Sequence, residues 1–165
     1  MARTRSMNFP NTLKDLDGLF DKIQRSQLDT LLVSGALAIK AALSALAKTA
    51  NAIYFQVGSK IFTKAAGDMA ALSGTVTNAK FNVFVFTVKS DGTLTTRMGT
   101  EASTLGGITF PTVPDGEVVI GFVIINPTGT GNFVGGTTSL DDATVVPNAV
   151  YINTPGGFDT FTEAI

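Results

Sequence analysis

Two runs of the chain, FNVFVFTV at residues 81–88 and VVIGFVII at residues 118–125, are apolar at even and odd positions alike. A strand turns successive side chains to opposite faces, so both faces of each run must be dry. An antiparallel sheet commonly leaves one face to water. Three arrangements would remove the conflict: a central place in a small closed barrel, cover by an N-terminal helix, or burial against another subunit. Phe84, Phe86, Phe122 and Ile124 are therefore candidate oligomer-interface residues, and self-association is expected.

Turn signals around these runs extend the β pattern. Residues 53–57 and 60–64 flank Gly58-Ser59, which suits a type II′ hairpin and sets Phe55 opposite Phe62. Residues 81–89 and 93–98 flank Asp91-Gly92, a type I′ signal. Pro111, Pro114 and Asp115-Gly116 bracket a loop before a strand at residues 117–126, which Pro127 ends. A Gly- and Thr-rich stretch then leads to a last strand at residues 149–153. Strands at this spacing predict a mainly β protein, an antiparallel β-sandwich or barrel.

The N-terminal part reads differently. Residues 1–10 have no period and would fray unless a partner chain held them. Over residues 11–33, Leu13, Leu16, Leu19, Phe20, Ile23, Leu28, Leu31 and Leu32 recur at spacings of three and four, which predicts an amphipathic helix. The division expected is an arm and helix at residues 1–34 and a β-rich domain at residues 35–165. Residues 35–50, GALAIKAALSALAKTA, favour helix by propensity, although their alternation also permits strands of small residues.

With 165 residues, one core plus an appendage is the natural size. The 17 Gly and 23 Thr, against only 15% charged residues, argue against a disordered chain and a helical bundle. Cys, His and Trp are absent, which removes disulfides, thiolate or imidazole metal sites, and Ser-His or Cys-His catalysis. No enzymatic activity, cofactor or structural metal is expected. No apolar stretch is long enough to span a bilayer, so no membrane partner is expected either. All 12 Lys and Arg lie at or before Arg97, which leaves the two sides of that residue oppositely charged despite a net charge of -1.

Few residues could carry chemistry. Asp15-Leu16-Asp17-Gly18 resembles the start of a calcium loop, but Phe20 and Ser26 occupy positions that need Gly and Glu. Gly129 to Gly136, GTGNFVGG, lacks the spacing of a dinucleotide loop and reads as a β-β connection. Asp141 and Asp142, Asp115 with Glu117, and Glu101 are the carboxylates open to pairing or adventitious calcium. Lys60, Lys64, Lys80, Lys89 and Arg97 near Tyr54, Phe62 and Phe84 would be the residues of a nucleic-acid platform. Charged rims of hairpins are usually only solvated, and no nucleic-acid partner is expected.

The run ALAIKAALSALAKTANAIYFQVGSKIFTKAAG at residues 36–67 resembles a module of tailed-bacteriophage virion proteins, with small-residue strands, an Ala-Asn strand, a Gly turn and a Lys-Ala-Ala ending. The stretches VFVFTVKSDGTLTTRMGTE and TFPTVPDGEVVIGFVIINPTGTGNFVGGTTSLDDATVVPNAVYINT look like its continuation, so the likeness covers roughly residues 36–154. The resemblance implies a non-enzymatic structural protein on the capsid surface. A capsid decoration (cement) protein is favoured, usually a homotrimer, with the major capsid protein as partner and Arg3, Arg5 and Phe9 as candidate capsid-binding residues. It also implies that residues 35–50 are extended or irregular. A head-fibre, tail or neck component is the alternative within the virion. A carbohydrate-binding β module is the alternative of another class.

Overall fold

The computed structural model describes residues 29–154. Twelve strands lie among the described residues: β1 (Asp29–Val33), β2 (Leu37–Ile39), β3 (Ala47–Thr49), β4 (Ile53–Val57), β5 (Lys60–Lys64), β6 (Gly67–Asp68), β7 (Thr75–Val76), β8 (Asn82–Lys89), β9 (Leu94–Met98), β10 (Glu117–Ile125), β11 (Phe133–Val134) and β12 (Val150–Asn153). The only helical element among the described residues is a single 3-10 turn, Leu105–Gly107. The strands form four antiparallel sheets, ordered β1-β4-β5, β12-β10-β8-β9, β11-β7 and β2-β3-β6. None closes into a barrel, which corrects that part of the expectation.

The helix expected over residues 11–33 does not extend to its C-terminal end. Residues 29–33 form β1 and pair with β4, so they belong to the β unit rather than to an appendage. Within that strand only Leu31 is fully buried, where pairing sets it opposite the buried Phe55 of β4. Residues 1–10, and residues 11–28 of the expected helix, lie outside the described residues.

Residues 35–50 are extended at both ends. Leu37–Ile39 pairs with Ala47–Thr49, and Leu43 between them has φ +58, which no α-helix accommodates. Leu37 and Ala47 are buried in the main core. Burial and ladder pairing outweigh a helix propensity of a few tenths of a kcal/mol per residue.

Both hairpins lie where the turn signals placed them. Gly58 has φ +58 and Val57 pairs with Lys60, a two-residue turn that sets Phe55 on Phe62 with ring centroids 5.8 Å apart. The second turn is longer than a type I′ pair. Asp91 does not take positive φ, whereas Gly92 does, at +81. The Gly92 amide donates to the Lys89 carbonyl at 2.9 Å, and the Lys89 amide donates to the Thr93 carbonyl at 3.0 Å. The loop therefore has three residues, ending in the left-handed position that Gly takes most readily.

The doubly apolar strands lie side by side at the centre of the four-stranded sheet. Phe84, Phe86 and Val88 face the main core, while Val83 and Val85 face a second cluster behind the sheet. In β10 the parity changes midway. Val118 and Ile120 face the main core and Val119 the second cluster; beyond Gly121, Phe122 and Ile124 face the second cluster and Val123 and Ile125 the main one. A bulge makes the change, because Val119 pairs with Thr87 and Gly121 with Phe86, leaving Ile120 between them.

Each dry face is covered by the chain itself. On one side lie Leu31, Ile53 and Phe55 from β1 and β4, with Leu72, Phe133 and Leu140 from loops and short strands. On the other, the segment after β9 folds back, held by bridges of Thr100 to Thr109 and Phe81 to Ala102. It brings Ile108 and Phe110 over Val85 and Phe122, with the Phe110 and Phe122 rings edge-on at 5.0 Å. Burying such side chains contributes about 1.5–3 kcal/mol each.

Candidate functional site

Phe84, Phe86, Phe122 and Ile124 are at most 8% exposed within the single chain. They are core residues within the single chain: Phe84 and Phe86 belong to the main core, and Phe122 and Ile124 to the second cluster with Ile108 and Phe110. Arg3, Arg5 and Phe9 lie outside the described residues.

The expected nucleic-acid platform does not come together. Phe84 is buried and Phe62 packs partly buried against the main core, so Tyr54 alone of the three aromatics is exposed. Lys80 Nζ donates to Ser103 Oγ at 2.6 Å, and Arg97 is engaged by Glu117. The GTGNFVGG stretch leads into β11, where Phe133 is fully buried and contacts Phe84 edge-on at 5.9 Å. It is a β-β connection.

The carboxylates hold turns in place. Asp141 accepts from the Leu43 amide at 3.0 Å and from the Ser139 hydroxyl, whereas Asp142 accepts from the Thr144 hydroxyl at 2.6 Å and its amide at 2.9 Å. The two adjacent groups thus serve different neighbours. The Ser139 hydroxyl and then the Leu43 amide hold Asp141 below its usual pKa; the Thr144 hydroxyl and amide do the same for Asp142. Glu101 is lowered by the amide and then the hydroxyl of Thr77. Among the described residues no three His, Cys, Asp or Glu side chains gather as a metal-holding group. No helix among them is long and apolar enough to cross a membrane.

The most developed polar cluster lies at one end of the four-stranded sheet. Glu117 opens β10, Thr87 is in β8, and Thr95 and Arg97 alternate on β9, so pairing collects all four on one face. Arg97 grips Glu117 with two bonds, Nη1 to Oε2 at 2.6 Å and Nη2 to Oε1 at 2.9 Å. The Thr87 and Thr95 hydroxyls donate to Oε2 at 2.7 and 3.1 Å. Lys89 Nζ is 3.8 Å from Oε1. Burial pushes the Glu117 carboxyl up, but bonds from Arg97 and Thr87 and the Arg97 charge outweigh it, leaving the pKa below its ordinary value. One residue earlier, the Gly116 amide donates to Asp29 Oδ2 at 3.0 Å, while the Gly58 amide donates to Oδ1 at 2.9 Å. Asp29 thereby ties two separate turns together.

This cluster is a clamp. Its carboxylate is held by a guanidinium on both oxygens and by two hydroxyls on Oε2, an arrangement that fixes the positions of three strands. The alternation Thr95-x-Arg97 was visible in the sequence, but its partners Thr87 and Glu117 depend on the register of two long-range pairings. Comparison with protein-family models, curated proteins and solved structures gives no match.

Proposed function

We propose that this chain is a non-enzymatic structural protein of a tailed-bacteriophage virion, a capsid decoration protein bound across neighbouring subunits of the major capsid protein. The sequence likeness over residues 36–154 is the observation that carries the reading. A mainly β unit of several antiparallel sheets is compatible with it, in which the Asp29 carboxylate at the start of β1 and the Asp141 carboxylate tie turns together. A protein that binds only the assembled shell stabilises that shell by linkage, and it must not deform while doing so. On this reading Arg3, Arg5 and Phe9 contact the shell. The trimer rests on the resemblance alone, now that Phe84, Phe86, Phe122 and Ile124 belong to the core.

The test is the position and copy number of the chain in purified particles. Hundreds of copies over the shell, and a shell that melts lower without them, are expected. A dozen copies at one vertex would assign the chain to a neck or head-fibre base. Binding to a glycan with no capsid association would favour the carbohydrate-binding alternative, with Tyr54 as its exposed aromatic residue.

A further inference from the structure

Among the described residues the most exposed large apolar side chain is Leu43, at 80%. An exposed leucine is ordinary by itself. This one has φ +58, a left-handed conformation that a bulky side chain avoids and that Gly or Asn would take with less strain. The loop is nonetheless held fast. The Leu43 amide donates to both Asp141 carboxylate oxygens at 3.0 Å, and the Ser44 carbonyl accepts from the Leu140 amide at 2.9 Å. Ala41 and Ala42 beside it are exposed as well. The fold thus accepts backbone strain and pins a loop in order to hold an apolar side chain out in water, which marks a contact point.

A surface that suits this knob lies elsewhere on the same chain. The outer face of β1, β4 and β5 carries Val33, Tyr54 and Ile61, each 45% to 67% exposed. Val33 pairs with Tyr54, and Ile61 lies on the neighbouring strand two positions from Thr63, the partner of Tyr54, so the three form one patch. The residues that pair in line with Ile61 are Gln56 and Thr30, both uncharged. Charge is found at the ends of β5, where Lys60 and Lys64 meet no carboxylate among the described residues. The knob has the opposite setting. Asp141, which holds the Leu43 amide, and its neighbour Asp142 accept from hydroxyls and amides and meet no cation among the described residues. Lys40, on the same loop, is neutralised by Asp68. An apolar knob with an acidic rim and an apolar face with a basic edge are complementary. Both are exposed within one chain, so the contact joins two.

We propose that Leu43 of one copy packs against the face formed by Val33, Tyr54 and Ile61 of a second copy, with Asp141 and Asp142 turned toward Lys60 and Lys64. The inference is independent of the virion reading. Because the two surfaces differ, the contact is head to tail: each copy keeps one free knob and one free face, and the copies close a ring or extend a row. One leucine on a three-stranded face buries well under the roughly 800 Å² a side of a standard interface, so the association is weak. Sedimentation velocity of the full-length chain from about 10 μM to about 1 mM should show a mass that rises with concentration. The rise should shrink in about 1 M salt, where charges are screened within about 3 Å. Leu43→Asp and Ile61→Asp should each weaken association at least tenfold. An equimolar mixture of the two should recover pairs and nothing larger, since one variant keeps the face and the other the knob. Circular dichroism checks that each variant is folded. Aspartate takes the left-handed conformation more readily than leucine, so Leu43→Asp decides the matter alone if Ile61→Asp loses its fold. A parent chain that stays monomeric throughout overturns the proposal. So does a Leu43→Asp chain that associates as the parent does, since the faces would then pair with each other, and so does a mixture of folded variants that recovers no pairs.

Discussion

Arg97 and Glu117 meet across β8, two strands apart, through a bidentate pair at 2.6 and 2.9 Å, with the Glu117 side chain 5% exposed and that of Arg97 25%. The pair joins the edge strand β9 to the start of β10, with β8 and its Thr87 between them. The asymmetry in exposure decides what each substitution does. Arg97→Ala strands a buried carboxylate with only hydroxyl donors and the distant Lys89, at a cost of about 2–4 kcal/mol, toward the low end for broken buried pairs because Arg97 is partly solvated. Glu117→Gln leaves a guanidinium that can turn toward water, and should cost only about 1–2 kcal/mol. Urea unfolding of both variants and the double variant should show marked non-additivity.

Acid should act on the same clamp. The folded pKa of Glu117 lies below its ordinary 4.5, so between those two values the unfolded chain binds more protons than the folded one. Stability therefore rises with pH in that window. The contribution of Glu117 is fully present above about pH 4.5 and is lost as pH falls through the folded pKa. Urea midpoints measured from pH 7 to pH 2.5 should fall less steeply for Glu117→Gln than for the parent chain. Parallel curves would mean that the clamp does not couple to protons.

At the alkaline end the relevant group is Tyr151, whose hydroxyl is buried with no hydrogen-bond partner among the described residues. Burial and then the nearby Asp141 charge push its pKa up to about 12. Between pH 10 and 12 the unfolded chain loses this proton while the folded chain keeps it, so stability falls as pH rises. Tyr151→Phe should flatten that decline. At pH 7 it should leave stability unchanged or raise it by up to about 1 kcal/mol, since it removes an unpaired buried polar group. Calorimetric melting at pH 7 and pH 11 checks both statements.

What the sequence made legible, and what it concealed, follows from the range of the interactions. The Gly58 hairpin and the Phe55–Phe62 pairing could be read because a two-residue turn fixes register locally. The second cover of β8 and β10 could not, because Ile108 and Phe110 belong to a loop with no period, and nothing local shows that it folds back. β1 was misread because Leu28, Leu31 and Leu32 continue a spacing of three and four, while the strand is fixed by Leu31 meeting Phe55 24 residues away. The same range hid the clamp: Glu117 looked like one member of an Asp115–Glu117 pair until register brought it to Arg97.

The bulge in β10 gives a test of backbone approach. A Cβ on Gly121 would meet the Ile152 carbonyl oxygen at 2.4 Å, which is backbone and cannot swing aside. Gly121→Ala should force β10 and β12 apart and cost about 2–3 kcal/mol, at the upper end of ordinary single-substitution effects. Gly67→Ala is the matched control, because a Cβ there meets nothing within 4 Å and needs no left-handed backbone. It should be neutral or stabilising by up to about 1 kcal/mol through the unfolded chain. Equal losses at the two positions would show that the close approach of β12 is not what selects Gly121.

Core and interface assignments for the doubly apolar strands make opposite predictions for a buried charge. Phe84 is fully buried beside Phe133, and Ile124 is 8% exposed beside Val83 on the other face. An aspartate at either place would be an unpaired carboxylate in an apolar cluster, costing several kcal/mol, comparable with the whole stability of many domains. Phe84→Asp and Ile124→Asp should therefore lose the β signal in circular dichroism and the cooperative melt together. Ile61→Asp, on an exposed edge strand, should keep both. If Phe84→Asp or Ile124→Asp instead gave a folded chain of lower mass by light scattering, that residue would lie between subunits, and the intrachain cover by Phe133 over Phe84, or by Ile108 and Phe110 over Ile124, would be wrong.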